Sequence, residues 1–185
     1  MTRLIAIDPG LKSGVAVFES GQLVEAFEVK PHETVLFTPL FTARKQYLGP
    51  PVSIQGHHAR LISSVPPLTA RKRCLETTVA IEDQYMGAGR AFKSIKTLIE
   101  IAGYWRLLAE SYGMKTMRVN PRSWQASLKV KGQGNAKRAQ CKRLSREYAV
   151  AIWGERAKAW TDNVSDAAHI GRWALVELAV KGRKK

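Results

Sequence analysis

The chain is predicted to fold as an α/β domain with a mixed five-stranded sheet, an antiparallel meander followed by parallel strands, flanked by helices. Three observations predict it. The apolar runs 3–8 (RLIAID), 14–18 (GVAVF) and 22–29 (QLVEAFEV) follow one another at hairpin spacing, the last two across a Ser20-Gly21 turn. A later run, 77–82 (TTVAIE), leads through helical periodicity over 89–112 (Phe92, Ile95, Ile99, Ala102, Leu107) to a further run at 114–119. Strands first in a row and then alternating with helices give a mixed sheet, and 185 residues suit one such domain better than two.

The first run ends in Asp8, ahead of a Pro9-Gly10 turn. Residues 30–75 show no clean period, with Pro31, Pro39, Pro50 and Pro51 early on, and read as a loop-rich basic insertion; no acidic residue occurs between Thr34 and Leu75. The 77–82 strand again closes on a carboxylate, Glu82, with Asp83 beyond it. Asn120-Pro121 opens a short helix. A glycine-containing basic segment follows, then helices near 136–153 and 163–180. The expected domain spans 1–180, with a basic tail at 181–185.

Thirty Lys and Arg against fifteen Asp and Glu leave a net charge of +15, a field that attracts polyanions. No amphipathic anchor and no apolar run of membrane-spanning length accompanies it, so nucleic acid is the expected partner, not a membrane. Cys74 and Cys141 are isolated, with neither zinc-ligand nor disulfide spacing. With a strand at the very start in place of a signal segment, they point to reduced core residues in a cytoplasmic protein.

Aspartate is confined to Asp8, Asp83, Asp162 and Asp166. Taken alone, Asp8 is an ordinary turn former. Glu82 is harder to excuse, because a carboxylate left unpaired at the end of a buried strand costs several kcal/mol. Only one of Glu82 and Asp83 can face a given side of the sheet, and strand parity alone does not choose between them. Asp162 and Asp166 share a helix face that continues through His169, Ile170, Trp173 and Ala174, the apolar stripe. Like charges at that spacing repel, and a bound cation would relieve both the repulsion and the burial. The structural alternatives are N-capping by Asp162 and helix-dipole pairing by Asp166. An oxygen-rich donor set suits Mg²⁺, with Mn²⁺ as substitute, better than zinc. Two such ions hydrolyse phosphodiesters. The expected catalytic metal ligands are Asp8, Glu82, Asp162 and Asp166.

Between Glu110 and Glu147 ten positive charges run without an acidic residue among them to pair with. Gly132 and Gly134, near the centre of this run, permit close backbone approach to phosphate. Lys129, Lys131, Lys137, Arg138 and Lys142 are the expected DNA-contacting residues; the alternative is a solvated helix face.

Four segments in order, IAIDPGLKSGVAVF, VAIEDQYM, NPRSW…KGQGNAKRAQ and SDAAHIGRWAL, resemble the RuvC-type Holliday junction resolvases of the RNase H-like superfamily. The longer, proline-rich 30–75 segment marks a divergent member, bacterial or phage-type. The resemblance implies a structure-selective endonuclease that cuts four-way DNA with two Mg²⁺ and leaves 5′-phosphates. It also implies a homodimer whose interface is built largely on the 89–112 helix. Asp8, Glu82 and Asp166 match three of the family's four acidic positions. The fourth falls three residues before Asp166, on Asn163; either its neighbour Asp162 is the ligand, the assignment adopted here, or Asn163 offers a neutral oxygen. Tyr85 matches an aromatic position at the junction centre, where stacking on a base is worth about 1–3 kcal/mol. Arg138, with Lys137 beside it, stands where the family has a lysine near the scissile phosphate. Competing expectations are a nuclease for RNA–DNA hybrids or structured RNA, a non-catalytic DNA-architectural protein, and an actin-like ATPase, for which the chain is too short.

Overall fold

The computed structural model describes residues 3–30, 76–84, 92–128 and 134–182, with side chains in the helices from 95 and from 139 onward. The predicted insertion (apart from Lys30), Tyr85, Lys129 and Lys131 lie outside the described residues, as do the side chains of Lys137 and Arg138.

Five strands form one sheet: β1 (Arg3–Asp8), β2 (Ser13–Glu19), β3 (Gln22–Val29), β4 (Thr77–Glu82) and β5 (Lys115–Val119), in the order β3-β2-β1-β4-β5. β1, β2 and β3 pair antiparallel, while β4 and β5 extend the sheet in parallel from β1, the predicted mixed arrangement. Ser20 and Gly21 carry positive φ values of 50° and 83°, the conformation that lets a two-residue turn follow the twist of its strands.

Four α-helices complete the described structure: α1 (Phe92–Ser111), α2 (Pro121–Ala126), α3 (Gly134–Trp153) and α4 (Asp162–Gly182), with a short 3-10 segment, Gly154–Ala159, before the last. The sheet is buried on both faces, which is why β1 and β4 read as continuous apolar runs. Ile5, Ile7, Val79 and Ile81 pack against Ile101, Ala102 and Trp105 of α1. Leu4, Ala6 and Ala80 pack on the other face with Trp124 of α2 and Ala167, Ile170 and Ala174 of α4. Cys141 lies half-buried against this second core, as a core filler should.

Candidate active site

Strand pairing brings the first two carboxylates together. β1 and β4 are parallel with Ile7 opposite Ile81, so Asp8 and Glu82 emerge side by side at one edge of the sheet. Alternation sorts the faces: Asp8 shares a side with Leu4 and Ala6, and Glu82 with Ala80, the side that α4 covers. Asp83 falls on the α1 side with Ile81. There it accepts from Arg118 Nε at 2.8 Å, with Arg118 Nη2 at 2.6 Å and Arg106 of α1 at 3.8 Å. The choice that parity left open is thereby made: Glu82 faces the same side as Asp8, and Asp83 anchors β4 to β5 and α1.

The start of α4 brings the other carboxylates to the same edge. The backbone of Asn163 and Val164 lies so close to Gly14 that any Cβ there would collide with it. Thr161 Oγ1 and the Asn163 amide both donate to Glu28 Oε1, at 2.7 and 3.0 Å, and the amide also donates to the Lys12 carbonyl at 2.9 Å. Asn163 is thus committed to the β2–β3 hairpin. Thr161 caps the helix: its hydroxyl accepts from Val164 N at 3.4 Å, and its carbonyl takes the Ser165 N–H at 3.0 Å. The capping alternative for Asp162 is corrected accordingly. Asp162 pairs instead with Lys142 Nζ at 2.8 Å and with Arg146 Nε, both from α3.

The electrostatics record how closely these groups approach. Burial, then the charges of Glu82 and Asp166, push the Asp8 carboxyl well above its ordinary value of 3.8, and Glu82 lies within hydrogen-bonding reach of it; Lys142 opposes the rise. Asp166 is pushed up to about 7, first by burial and then by Glu82 and Asp162, against the lowering effect of a Ser145 hydrogen bond. Asp162 goes the other way. Burial would raise it, but the hydrogen bonds from Arg146 and Lys142 prevail and hold it below its ordinary value.

Several of the side chains that fix these carboxylates were not anticipated from sequence. Trp124 Nε1 donates to Glu82 Oε1 at 2.8 Å, and Gln84 Nε2 to Glu82 Oε2 at 3.1 Å. Ser145 Oγ donates to Asp166 Oδ1 at 2.5 Å. Trp105 Nε1 donates to Ser13 Oγ at 3.0 Å, and that hydroxyl donates to the Gly10 carbonyl at 3.0 Å, pinning the loop after Asp8. For Trp124 and Trp105 a sequence signal existed: an indole on an apolar face needs a partner for its N–H. For Ser145 there was none.

Among the described residues, no three His, Cys, Asp or Glu side chains are grouped tightly enough to hold a metal ion as they are placed. The donor chemistry nonetheless fits a hard divalent cation. Asp8, Glu82 and Asp166 supply only oxygens, and their mutual repulsion is what a cation would remove. The basic run is less unpaired than its sequence suggests, a correction to that expectation. Lys142 and Arg146 pair with Asp162, Arg118 with Asp83, and Arg143 with Glu147, so the partners come from distant parts of the chain as well as from the next helical turn. Among the described residues, no helix is long and apolar enough to cross a membrane.

No family model and no curated protein sequence matches the chain. Solved structures do. RuvC of T. thermophilus in complex with its Holliday junction substrate aligns over 97% of this chain and 96% of its own, at 16% identity and a TM-score of 0.55. A second Thermus thermophilus RuvC structure aligns over 97% of both chains, at 15% identity and a TM-score of 0.52. The chain therefore has the RuvC fold, an RNase H-like mixed sheet with flanking helices, at a distance where sequence similarity is low.

Proposed function

We propose that the protein is a structure-selective endonuclease of branched DNA, a Holliday junction resolvase hydrolysing phosphodiesters with two Mg²⁺ ions held by Asp8, Glu82, Asp162 and Asp166. One observation carries the reading: three carboxylates from β1, β4 and α4 converge at one end of the sheet, with the ionisation of Asp8 and Asp166 disfavoured, in a chain of net charge +15.

Bound divalent ions would supply an activated water and charge neutralisation at the leaving oxygen. The chain's own residues hold the frame. Trp124 and Gln84 fix both oxygens of Glu82, and Ser145 fixes Asp166. Lys142 and Arg146 stand at the rim beside Asp162, where a phosphate backbone would exchange for one carboxylate partner. Asp162 is preferred to Asn163 as fourth ligand, because a charged carboxylate oxygen binds a hard divalent cation better than the neutral amide oxygen of Asn163, whose Nδ2 donates to Lys12 and Glu28. Tyr85, Lys129, Lys131, Lys137 and Arg138 complete the proposed DNA surface.

A homodimer is part of the reading. On α1, Ile99 and Leu107 are 44% and 69% exposed, apolar surface that a second copy would cover. The proposed setting is the cytoplasm, where the DNA is.

Cleavage of synthetic four-way junction, flap and RNA–DNA hybrid in Mg²⁺ tests the proposal, with Asp8→Asn as the inactive control. Preference for the junction is the expected result. Preference for the hybrid would replace the substrate, and a wild type no more active than Asp8→Asn would leave a DNA-architectural protein. Normal cleavage by Asp162→Asn together with loss in Asn163→Ala would reassign the fourth ligand.

A further inference from the structure

Glu82 and Asp166 come from different layers, one from a strand and the other from the helix lying over it. A series of contacts joins them behind the site. Trp124, 1% exposed, donates its indole N–H to Glu82 Oε1 at 2.8 Å. Its ring lies parallel to that of His169, 5° between planes and 6.4 Å between centroids. His169 Nε2 faces the Ser145 carbonyl at 2.8 Å and so carries the proton it donates. The Ser145 hydroxyl donates to Asp166 Oδ1 at 2.5 Å, and His169 lies one helical turn beyond Asp166 on α4, which closes the ring.

Trp124 has an unusual warrant for its place. Asn120 Oδ1 accepts the Arg122 N–H at 2.9 Å and Pro121 starts α2, so the short helix begins directly after β5 and turns Trp124 inward. Burial of an indole can be satisfied by many acceptors; here the acceptor is a carboxylate that already faces Asp8.

We infer that Trp124 is a positioning residue for the metal centre: its N–H, braced through His169 and Ser145, sets Glu82 against Asp166 and with it the affinity for a divalent cation. The inference rests on the proposed role of Glu82 and Asp166 as ligands. Partners of metal ligands in other proteins change metal affinity by about 10–100-fold when removed.

The test is Mn²⁺ binding to the full chain, measured as free-ion EPR signal, for wild type, Asp8→Asn, Trp124→Phe, Glu82→Gln and the Trp124→Phe/Glu82→Gln double variant. Trp124→Phe keeps a buried ring and loses the donor. It is expected to weaken Mn²⁺ about tenfold and to shrink the rise in Tm on adding Mn²⁺, beyond any change in Tm measured in EDTA. In the Glu82→Gln background the same substitution should change Mn²⁺ affinity no further. Wild-type affinity in Trp124→Phe, or an equal loss in both backgrounds, overturns the inference while leaving the carboxylate site intact. Mn²⁺ binding that ignores Asp8→Asn overturns the site and the inference together. Should Trp124→Phe not fold, benzothienylalanine at position 124 keeps the shape of the ring without the N–H and permits the same comparison.

Discussion

Asp166→Asn should stabilise the metal-free protein, by an amount that grows from about pH 4 and levels off above about pH 7. Folding raises the Asp166 carboxyl from 3.8 to about 7. A group raised on folding contributes fully below its unfolded pKa, and that contribution is lost as pH rises through the folded one. The window here runs from about pH 4 to somewhat above pH 7. The rise corresponds to a ceiling of about 4 kcal/mol. Coupling to Asp8 and Glu82 spreads this over the cluster, so about 1–2 kcal/mol is expected from one substitution, roughly 2–8 °C in Tm. Asn keeps the shape and an oxygen to accept the Ser145 hydroxyl. Thermal unfolding in EDTA at pH 4 and pH 8.5 is the assay. The two proteins should lie closest at pH 4 and separate progressively up to pH 8.5 with the variant above, and millimolar Mg²⁺ at pH 8.5 should reverse the order by stabilising wild type alone. A gap that fails to widen with pH would show that Asp166 is not held against its charge, and the case for a cation would lose its main support.

Other substitutions separate chemistry from scaffold. Asp8→Asn should lower junction cleavage by about 10³-fold or more, as several kcal/mol of charge stabilisation are lost, while a gel-shift assay shows binding retained. Asp83→Asn should cost about 1–3 kcal/mol in urea unfolding and leave Mn²⁺ affinity unchanged, the reverse of Glu82→Gln. Gly14→Ala should both destabilise and impair metal binding, since the start of α4 must move to admit a Cβ; unfolding and Mn²⁺ titration read the two effects. Lys142→Ala should reduce the salt dependence of junction binding by a slope of about 0.9 if it meets phosphate, as measured by anisotropy across salt concentrations.

How much of this was legible beforehand depended on range. The strands, their order of appearance and the Ser20-Gly21 turn follow from local pattern, because period and turn chemistry act over a few residues. Asp8 and Glu82 were legible for a related reason: each ends an apolar run, and a charge there is conspicuous. The division of labour between Glu82 and Asp83 was not, since it depends on which face α4 covers and which Arg106 and Arg118 approach. Of the two roles weighed for Asp162, capping falls instead to its neighbour Thr161, and the sequence offers no means of choosing between adjacent capping residues. The basic run showed no internal partners, yet Lys142 and Arg146 found theirs in Asp162, close in space and far along the chain. Pairing of charges is a property of the fold, and sequence order hides it.

The four acidic positions of the site differ in how the fold treats them, and the difference has a direction. Asp8 and Asp166 are held with their ionisation disfavoured, whereas Asp162 is paired with two cations. Lys142 connects the two situations, for it salt-bridges Asp162 and lowers both Asp8 and Asp166. Its side chain and that of Arg146 are 45% and 60% exposed, so both remain open to a phosphate arriving from solvent. An incoming backbone phosphate would compete with Asp162 for these two cations, and under the proposed ligand set the carboxylate so released would join Asp8, Glu82 and Asp166 in holding an ion. Nucleic acid and divalent cation would then bind with positive coupling, each tightening the other by the same factor. Repulsion within the carboxylate cluster thus favours an ion, and the placement of Lys142 and Arg146 favours its arriving together with DNA.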